Sequence, residues 1–183
     1  QQQIGERLRG FIQHWADFEN LGSIHLRLQD EELFTAGFIP ALLRTMFRYD
    51  IAPQRLLVAV SALQVLHFPD EIEQLKAQGV RLLIGGLEHC PLTLPQLQGL
   101  APDMLLLDAD LVEGQMQDER RTTVVETLLT MAQRLQIEVL AEGVRTTGQM
   151  TRLSQQGCYR MSGKYVGRNL TMAQLVERLD VER

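Results

Sequence analysis

Arg81-Leu82-Leu83-Ile84-Gly85-Gly86-Leu87 decides the fold. A short apolar run follows Gly79-Val80 and stops at two glycines, the pattern of a strand buried on both faces that leaves its sheet abruptly at the carboxyl end. Such a strand belongs to a parallel sheet. In barrels of repeated strand–helix units, the carboxyl ends of the strands are where ligands and metals are held. Gly85 and Gly86 bring no side chain to that end, and the nearest strand ends are poor in acids. The stretch is either the strand of an active site or the shape of one with its chemistry removed.

Working outward, Leu56–Val60 is a second apolar run, and Ile24-His25-Leu26-Arg27-Leu28 alternates as a strand does. Downstream, Met104–Leu107 runs into Asp108, Glu138–Ala141 ends in Glu142-Gly143, and a weaker strand passes through Tyr159–Val166. Helical spacing predicts helices between them. Phe38–Tyr49 has Pro40 in its first turn and Leu42, Leu43, Met46 and Phe47 inward. Pro69–Gln78 ends at Gly79, and Leu94–Leu100 is short. Met116–Leu135 is expected to turn Val124, Val125, Leu128, Met131 and Leu135 inward, and Thr147–Gln156 stops at Gly157. An amphipathic helix over Ile4–Asn20 leads the chain, and Thr171 caps a last helix over Met172–Leu179. Strands alternating with helices at this spacing mean a parallel α/β sheet with crossover helices. A closed (β/α) barrel has eight strands and typically ~250 residues. The chain is expected to be a barrel incomplete at its N-terminal end, because its first helix has no strand before it.

A chain of 183 residues, 45% hydrophobic and 22% charged, fits one soluble domain with a sizeable core. The formal net charge is −5 and the basic residues are scattered, which argues against duplex nucleic acid or an anionic membrane as partner. The longest apolar runs are too short to span a bilayer and no signal peptide opens the chain, so a cytoplasmic setting is expected. Cys90 and Cys158 have no metal-ligand spacing and read as two buried thiols rather than a disulfide. His25, His67 and His89 read as packing or surface residues, and Met116, Met131 and Met150 as core or edge.

Several stretches together resemble the EAL domain, the bacterial phosphodiesterase that opens cyclic di-GMP. Val139-Leu140-Ala141-Glu142-Gly143-Val144-Arg145-Thr146 is close to that family's "VIAEGVET". Gly157-Cys158-Tyr159 and Gly163-Lys164-Tyr165 follow where the family has "GCDYVQGYLF". Met104–Val112 looks like "YLKIDRSFV", Gly79–Leu87 like "GVRLALDDF", and Phe38–Leu57 like "FVEALLARHGLPPERLEL". The likeness covers nearly the whole chain from the family's second helix onward, so residues 1–183 are expected to be a single EAL-like domain, a TIM-like (β/α) barrel without its front.

Carried across position by position, the resemblance implies a lost active site. The glutamate of the signature tripeptide would precede Gln1. The metal-binding asparagine of "VNLS" falls on Arg27, the metal-binding glutamate of "LEITE" on Ala59, and the aspartate pair on Gly85 and Gly86. The lysine of "LKID" falls on Leu106 and the glutamine of "VQG" on Ser162; Asp108 and Glu142 alone match. Hydrolysis of this kind needs two divalent cations in hard oxygen ligands, so neither a catalytic residue nor a Mg²⁺ or Mn²⁺ site is expected. The candidate ligand-binding residues are Arg27, Gly85, Gly86, Asp108, Glu142, Gly143, Ser162 and Gly163.

Local alternatives stay open for several of these. Gly85-Gly86 is either a plain turn or a place where backbone N–H groups approach a phosphate. Arg27 either binds phosphate directly or pairs with Glu142 or Asp108, and Asp108 serves either structure or ligand. Cyclic di-GMP carries two phosphates and two guanines, which arginine, backbone amides and stacking can hold without metal. A receptor for it, in control of motility, pilus or biofilm, is the first functional reading. An aromatic content of 5% weighs against stacking, with Tyr165 the exception. A protein-interaction module that no longer binds nucleotide is the second, and an active phosphodiesterase the least favoured. A protein partner or an upstream signalling domain is expected, and a homodimer is compatible with the incomplete barrel.

Overall fold

The computed structural model describes residues 22–28, 37–90, 92–167, 170, 174 and 177. The helix expected over 4–20 and the acidic turn Asp30-Glu31-Glu32 lie outside the described residues, as does all but 174 and 177 of the helix expected over 172–179. The chain divides into two compact units, Gln1–Leu105 and Leu106–Arg183.

The first unit is built on β1 (Ile24–Arg27), β2 (Leu56–Ser61), β3 (Arg81–Gly85) and the start of β4 (Met104–Leu107), adjacent in chain order. All the pairings are parallel, with Ile24 opposite Leu56, Leu57 opposite Arg81 and Leu83 opposite Met104. Parallel strands need crossovers, and helices supply them: α1 (Phe38–Arg48), α2 (Ala62–His67), α3 (Pro69–Ala77) and α4 (Leu94–Leu100). Leu57, Val58, Leu82 and Ile84 are wholly buried, as the continuous apolar runs require. Gly79, at φ +80, reverses the chain after α3, and Val80 N–H then donates back to the Leu75 carbonyl. The start of β3 is held by Asp103, whose carboxylate accepts the Leu82 N–H at 2.9 Å and faces Arg81 at 3.4 Å.

Three expectations need correction here. Phe47 is 88% exposed; the buried face of α1 is Ile39, Leu42 and Met46, and Leu43 lies half-buried beside it. Met46 and Phe47 are consecutive, about 100° apart around the helix, so only one can point inward. Second, α2 stands where no helix was expected. Its six residues are too few for periodicity to show, although Ser61-Ala62-Leu63-Gln64 carries the spacing of a capping box, and that box forms. Third, Cys90 is half-buried, not buried; Cys158 is buried, and both thiols are free.

The second unit holds the end of β4, α5 (Ala109–Gly114), α6 (Glu119–Arg134), β5 (Glu138–Ala141), α7 (Thr147–Gln155) and β6 (Arg160–Met161). β5 and β6 are parallel, with Leu140 opposite Arg160. The helix expected over Met116–Leu135 is α6, which begins three residues later at Glu119, and the short α5, not expected from the sequence, precedes it across a turn. Asp118 caps α6 by accepting the Arg120 N–H at 2.9 Å, and Met116 is 45% exposed. The inward stripe of α6 is Thr122, Val125, Leu129 and Ala132, while Val124 faces solvent and Leu128, Met131 and Leu135 are half-buried. The core of this unit gathers Leu107, Val112, Val125, Ala141, Val144, Leu153 and Cys158. Among the described residues there are six strands joined by helices, the α/β architecture of a TIM-like (β/α) barrel short of its eight strands. No helix among them is long and apolar enough to cross a membrane.

Ile84→Ala removes a fully buried side chain from β3 and should lower stability by about 2–5 kcal/mol in urea titration. Phe47→Ser should stay within about 0.5 kcal/mol of the parent. Burial pushes the Cys158 thiol above its ordinary value, against the opposing pull of the Arg160 and Ala141 backbone. The folded state therefore favours the neutral thiol, and its contribution is complete below the ordinary thiol range and lost as pH rises through it. A chromogenic disulfide reagent should label Cys90 in the native protein and Cys158 only after unfolding.

Candidate functional site

In the first unit the carboxyl ends of β2 and β3 are level, and β1 ends two residues earlier. Arg27 ends β1 opposite Ala59, and Ser61 ends β2 opposite Gly85. Arg27 is exposed, while Ala59 and Gly85 are buried. Ser61 is committed to structure: its hydroxyl accepts the Gln64 N–H at 3.1 Å, and its own N–H donates to Gln64 Oε1 at 2.8 Å. Gln64 Nε2 then donates to the Leu28 carbonyl at 3.2 Å, which ties the exit of β1 to that of β2.

Gly86 has φ +69, and its carbonyl accepts the N–H groups of His89 and Cys90 at 3.2 and 3.1 Å. The two glycines thus lead into a tight turn, the plainer of their two readings. A side chain at Gly86 would meet only Ser61 Cβ at 3.8 Å, so backbone conformation, not crowding, calls for glycine there.

Glu88, two residues past Gly86, is a feature the sequence reading passes over. Its Oε1 faces His89 at 3.4 Å, and its Oε2 is buried with no hydrogen-bond partner among the described residues. An acid within three positions of a strand exit was the available signal, but motif matching directs attention to Gly85 and Gly86 instead.

The second unit gathers the other five expected residues. Asp108 follows β4 and opens α5, though its side chain does not cap that helix. Glu142 follows β5, and its N–H donates to the Leu107 carbonyl at 2.9 Å, which sets it next to Asp108; both are half-buried. Gly143, at φ +75, presses on α5, where an added Cβ would lie 2.4 Å from Ala109 Cβ and 3.0 Å from its Cα. Ser162 N–H donates to the Ala141 carbonyl at 2.8 Å, and Val144 N–H donates to the Ser162 carbonyl at 3.0 Å. Gly163, at φ +147, leaves no room for a Cβ, which would sit 2.3 Å from the Val144 carbonyl oxygen. Tyr165 is 45% exposed and shares a 2.9 Å hydrogen bond with the Thr147 hydroxyl. Arg145 pairs with Glu113 at 3.0 Å in the open.

The arrangement offers an exposed guanidinium and a glycine turn in one unit, and two half-buried carboxylates on a tight backbone knot in the other. Among the described residues no group of three or more His, Cys, Asp and Glu side chains is placed to hold a metal ion. The knot should be sensitive to any side chain. Gly157→Ala, at φ +86 with open space around it, should cost about 1–2 kcal/mol from backbone strain alone. Gly143→Ala and Gly163→Ala should each cost about 1–3 kcal/mol beyond that, because the new methyl overlaps backbone, and thermal melting ranks the three.

The family description "EAL domain" matches residues 2–169. The bifunctional diguanylate cyclase/cyclic di-GMP phosphodiesterase MucR of Pseudomonas aeruginosa is 24% identical over 158 residues, covering 84% of this chain and 23% of that protein. Among solved structures, the MucR phosphodiesterase in complex with c-di-GMP superposes with a TM-score of 0.86 at 24% identity, covering 94% of this chain and 74% of that one. The EAL domain of Mycobacterium smegmatis DcpA gives 0.84 at 18% identity, covering 99% and 85%. At these identities the likeness to solved structures establishes the fold. The chain spans about a fifth of the length of the curated relatives it matches.

Proposed function

The chain belongs to the EAL domain family, and from that premise we propose that it is a cyclic di-GMP receptor that does not hydrolyse its ligand. The donor set at the ends of β1, β2 and β3 carries the proposal. Where the family's motifs place asparagine, glutamate and two aspartates, this chain has Arg27, Ala59, Gly85 and Gly86. Divalent cations of the Mg²⁺ class require hard oxygen ligands in near-octahedral array. A guanidinium repels such an ion, and alanine and glycine offer it no side-chain oxygen. Leu106, 95% buried in β4 where the motif has lysine, removes a cationic side chain as well. The residues present do not fit a two-metal centre, and the proposed function routes no step through one.

Binding asks for less than hydrolysis does. The exposed Arg27 supplies charge-assisted hydrogen bonds to a phosphate. In the second unit, taken by itself, the half-buried Asp108 and Glu142 are acceptors of the kind that guanine N–H groups or ribose hydroxyls meet. The comparison with MucR, named as a cyclic di-GMP phosphodiesterase and solved with c-di-GMP, supports the ligand class. The same reading takes residues 1–183 as one domain of a bacterial signalling protein acting in the cytoplasm beside further domains; that the chain spans about a fifth of its relatives' length supports the further domains alone.

Calorimetric titration of the purified domain with cyclic di-GMP should give the same affinity with Mg²⁺ and with chelator. Arg27→Ala should weaken binding about 10–100-fold, the worth of a hydrogen bond to a charged group. Release of linear pGpG in Mg²⁺ or Mn²⁺ overturns the receptor reading from one side, and absence of heat at high micromolar ligand from the other.

A further inference from the structure

We infer that Gln64, in α2, is a positioning residue for Arg27: it holds the end of β1, and with it the place from which the guanidinium reaches a ligand. The inference rests on the receptor reading, in which Arg27 binds a phosphate of cyclic di-GMP.

The two ends of the Gln64 amide serve different parts of the unit. Oε1 accepts the Ser61 N–H at 2.8 Å and closes the capping box of α2. For that task an acceptor suffices, and glutamate supplies one as well as glutamine does. Nε2 donates to the Leu28 carbonyl at 3.2 Å, 36 positions away in the chain. That task requires a donor, which an ionised glutamate lacks. The capping boxes of α4 and α7 also use glutamine, but among the described residues the side chains of Gln96 and Gln149 bond within four positions. The tie to a strand end belongs to Gln64.

That tie falls one residue past Arg27. Arg27 closes β1 opposite Ala59 and is exposed, so the start of its reach is set by the main chain. Leu28 is buried and gripped at both backbone polar groups: its N–H donates to the Ala59 carbonyl at 3.2 Å, and its carbonyl accepts from Gln64. The Gln64 bond is itself buried, where water does not readily replace a lost partner. Without it the end of β1 has more positions open to it, and a ligand that needs one of them loses affinity to the cost of ordering. Gln64 thus acts on binding through the main chain of another residue.

Calorimetric titration of the chain with cyclic di-GMP tests this by a double-mutant cycle. Gln64→Leu should weaken binding about 2–10-fold, the worth of one ordinary hydrogen bond. In an Arg27→Ala background the same substitution should cost nothing further, because the residue through which it acts is gone. Gln64→Met, unbranched like glutamine, should behave alike and serves if the leucine variant does not fold. Ser61→Ala removes the hydroxyl cap of α2 and leaves the Leu28 tie in place; it should lower the melting temperature and keep the affinity within about twofold of the parent. With no ligand present, hydrogen exchange at the Leu28 N–H should be faster in Gln64→Leu than in Ser61→Ala. Equal losses in the two backgrounds, equal exchange in the two variants, or a loss of affinity in Ser61→Ala as large as in Gln64→Leu overturns the positioning role and leaves the receptor reading standing. An Arg27→Ala variant that binds like the parent, or no binding at all, overturns both.

Discussion

The parallel pairing of β2 with β3, in register from Leu57 opposite Arg81 to Ser61 opposite Gly85, is the constraint on which the first unit depends. Both strands are covered on both faces, so neither has a solvent face on which to carry chemistry. Whatever the unit does at its sheet must happen where the strands stop. The register fixes that place in two rows: Arg27 lies level with Ala59 inside β2, and two residues further along Ser61 lies level with Gly85 at the ends of β2 and β3. The Asp103 carboxylate at the other end of β3 fixes where the strand begins, and so where Gly85 falls.

The second unit uses backbone where the first uses register. Glu142 N–H on Leu107, Ser162 N–H on Ala141 and Val144 N–H on Ser162 stitch three strand exits together through main-chain hydrogen bonds alone. Such a stitch is indifferent to most side chains but demands close approach. That demand is met by Gly143 against Ala109 and Gly163 against Val144. The stitch uses Ser162, where the family's motif has glutamine, only through its main chain, so the placing of Asp108 and Glu142 does not depend on the side chain at that position.

Strands were legible because a doubly buried strand writes itself as an unbroken apolar run, and Leu56–Val60, Arg81–Ile84 and Met104–Leu107 are such runs. Helices were legible from period where long enough and from punctuation where short: the seven residues of α4 stood out among Pro91, Pro95 and Pro102. Nine or more residues sufficed for α1, α3 and α7, whereas the six of α2 gave no period, and only its capping box betrayed it. The face of α6 was misread by one residue because two adjacent valines fit the stripe equally well, and Thr122, which holds the true register by donating to the Gln115 carbonyl, looks polar. At the site, motif spacing located every nominated residue at a strand exit. It passed over Glu88, three positions past the end of β3, because motif matching fixed on Gly85 and Gly86; that its Oε2 is buried is a property of packing.

Loss of hydrolysis and retention of binding need not conflict, because they draw on different states of the ligand. Metal ions earn rate by stabilising charge that develops only as the phosphate ester breaks. A receptor has no such state to stabilise; it needs complementarity to the resting diester, with its two full negative charges already in place. For that purpose a fixed cation from the protein does what a bound metal would do, without the ordered oxygen cage a metal requires. Arg27 where the family's motif has a neutral asparagine adds a positive charge suited to the ground state. In the proposed reading, the residues at β1, β2 and β3 exchange transition-state stabilisation for that permanent charge, which favours holding a diester over breaking it.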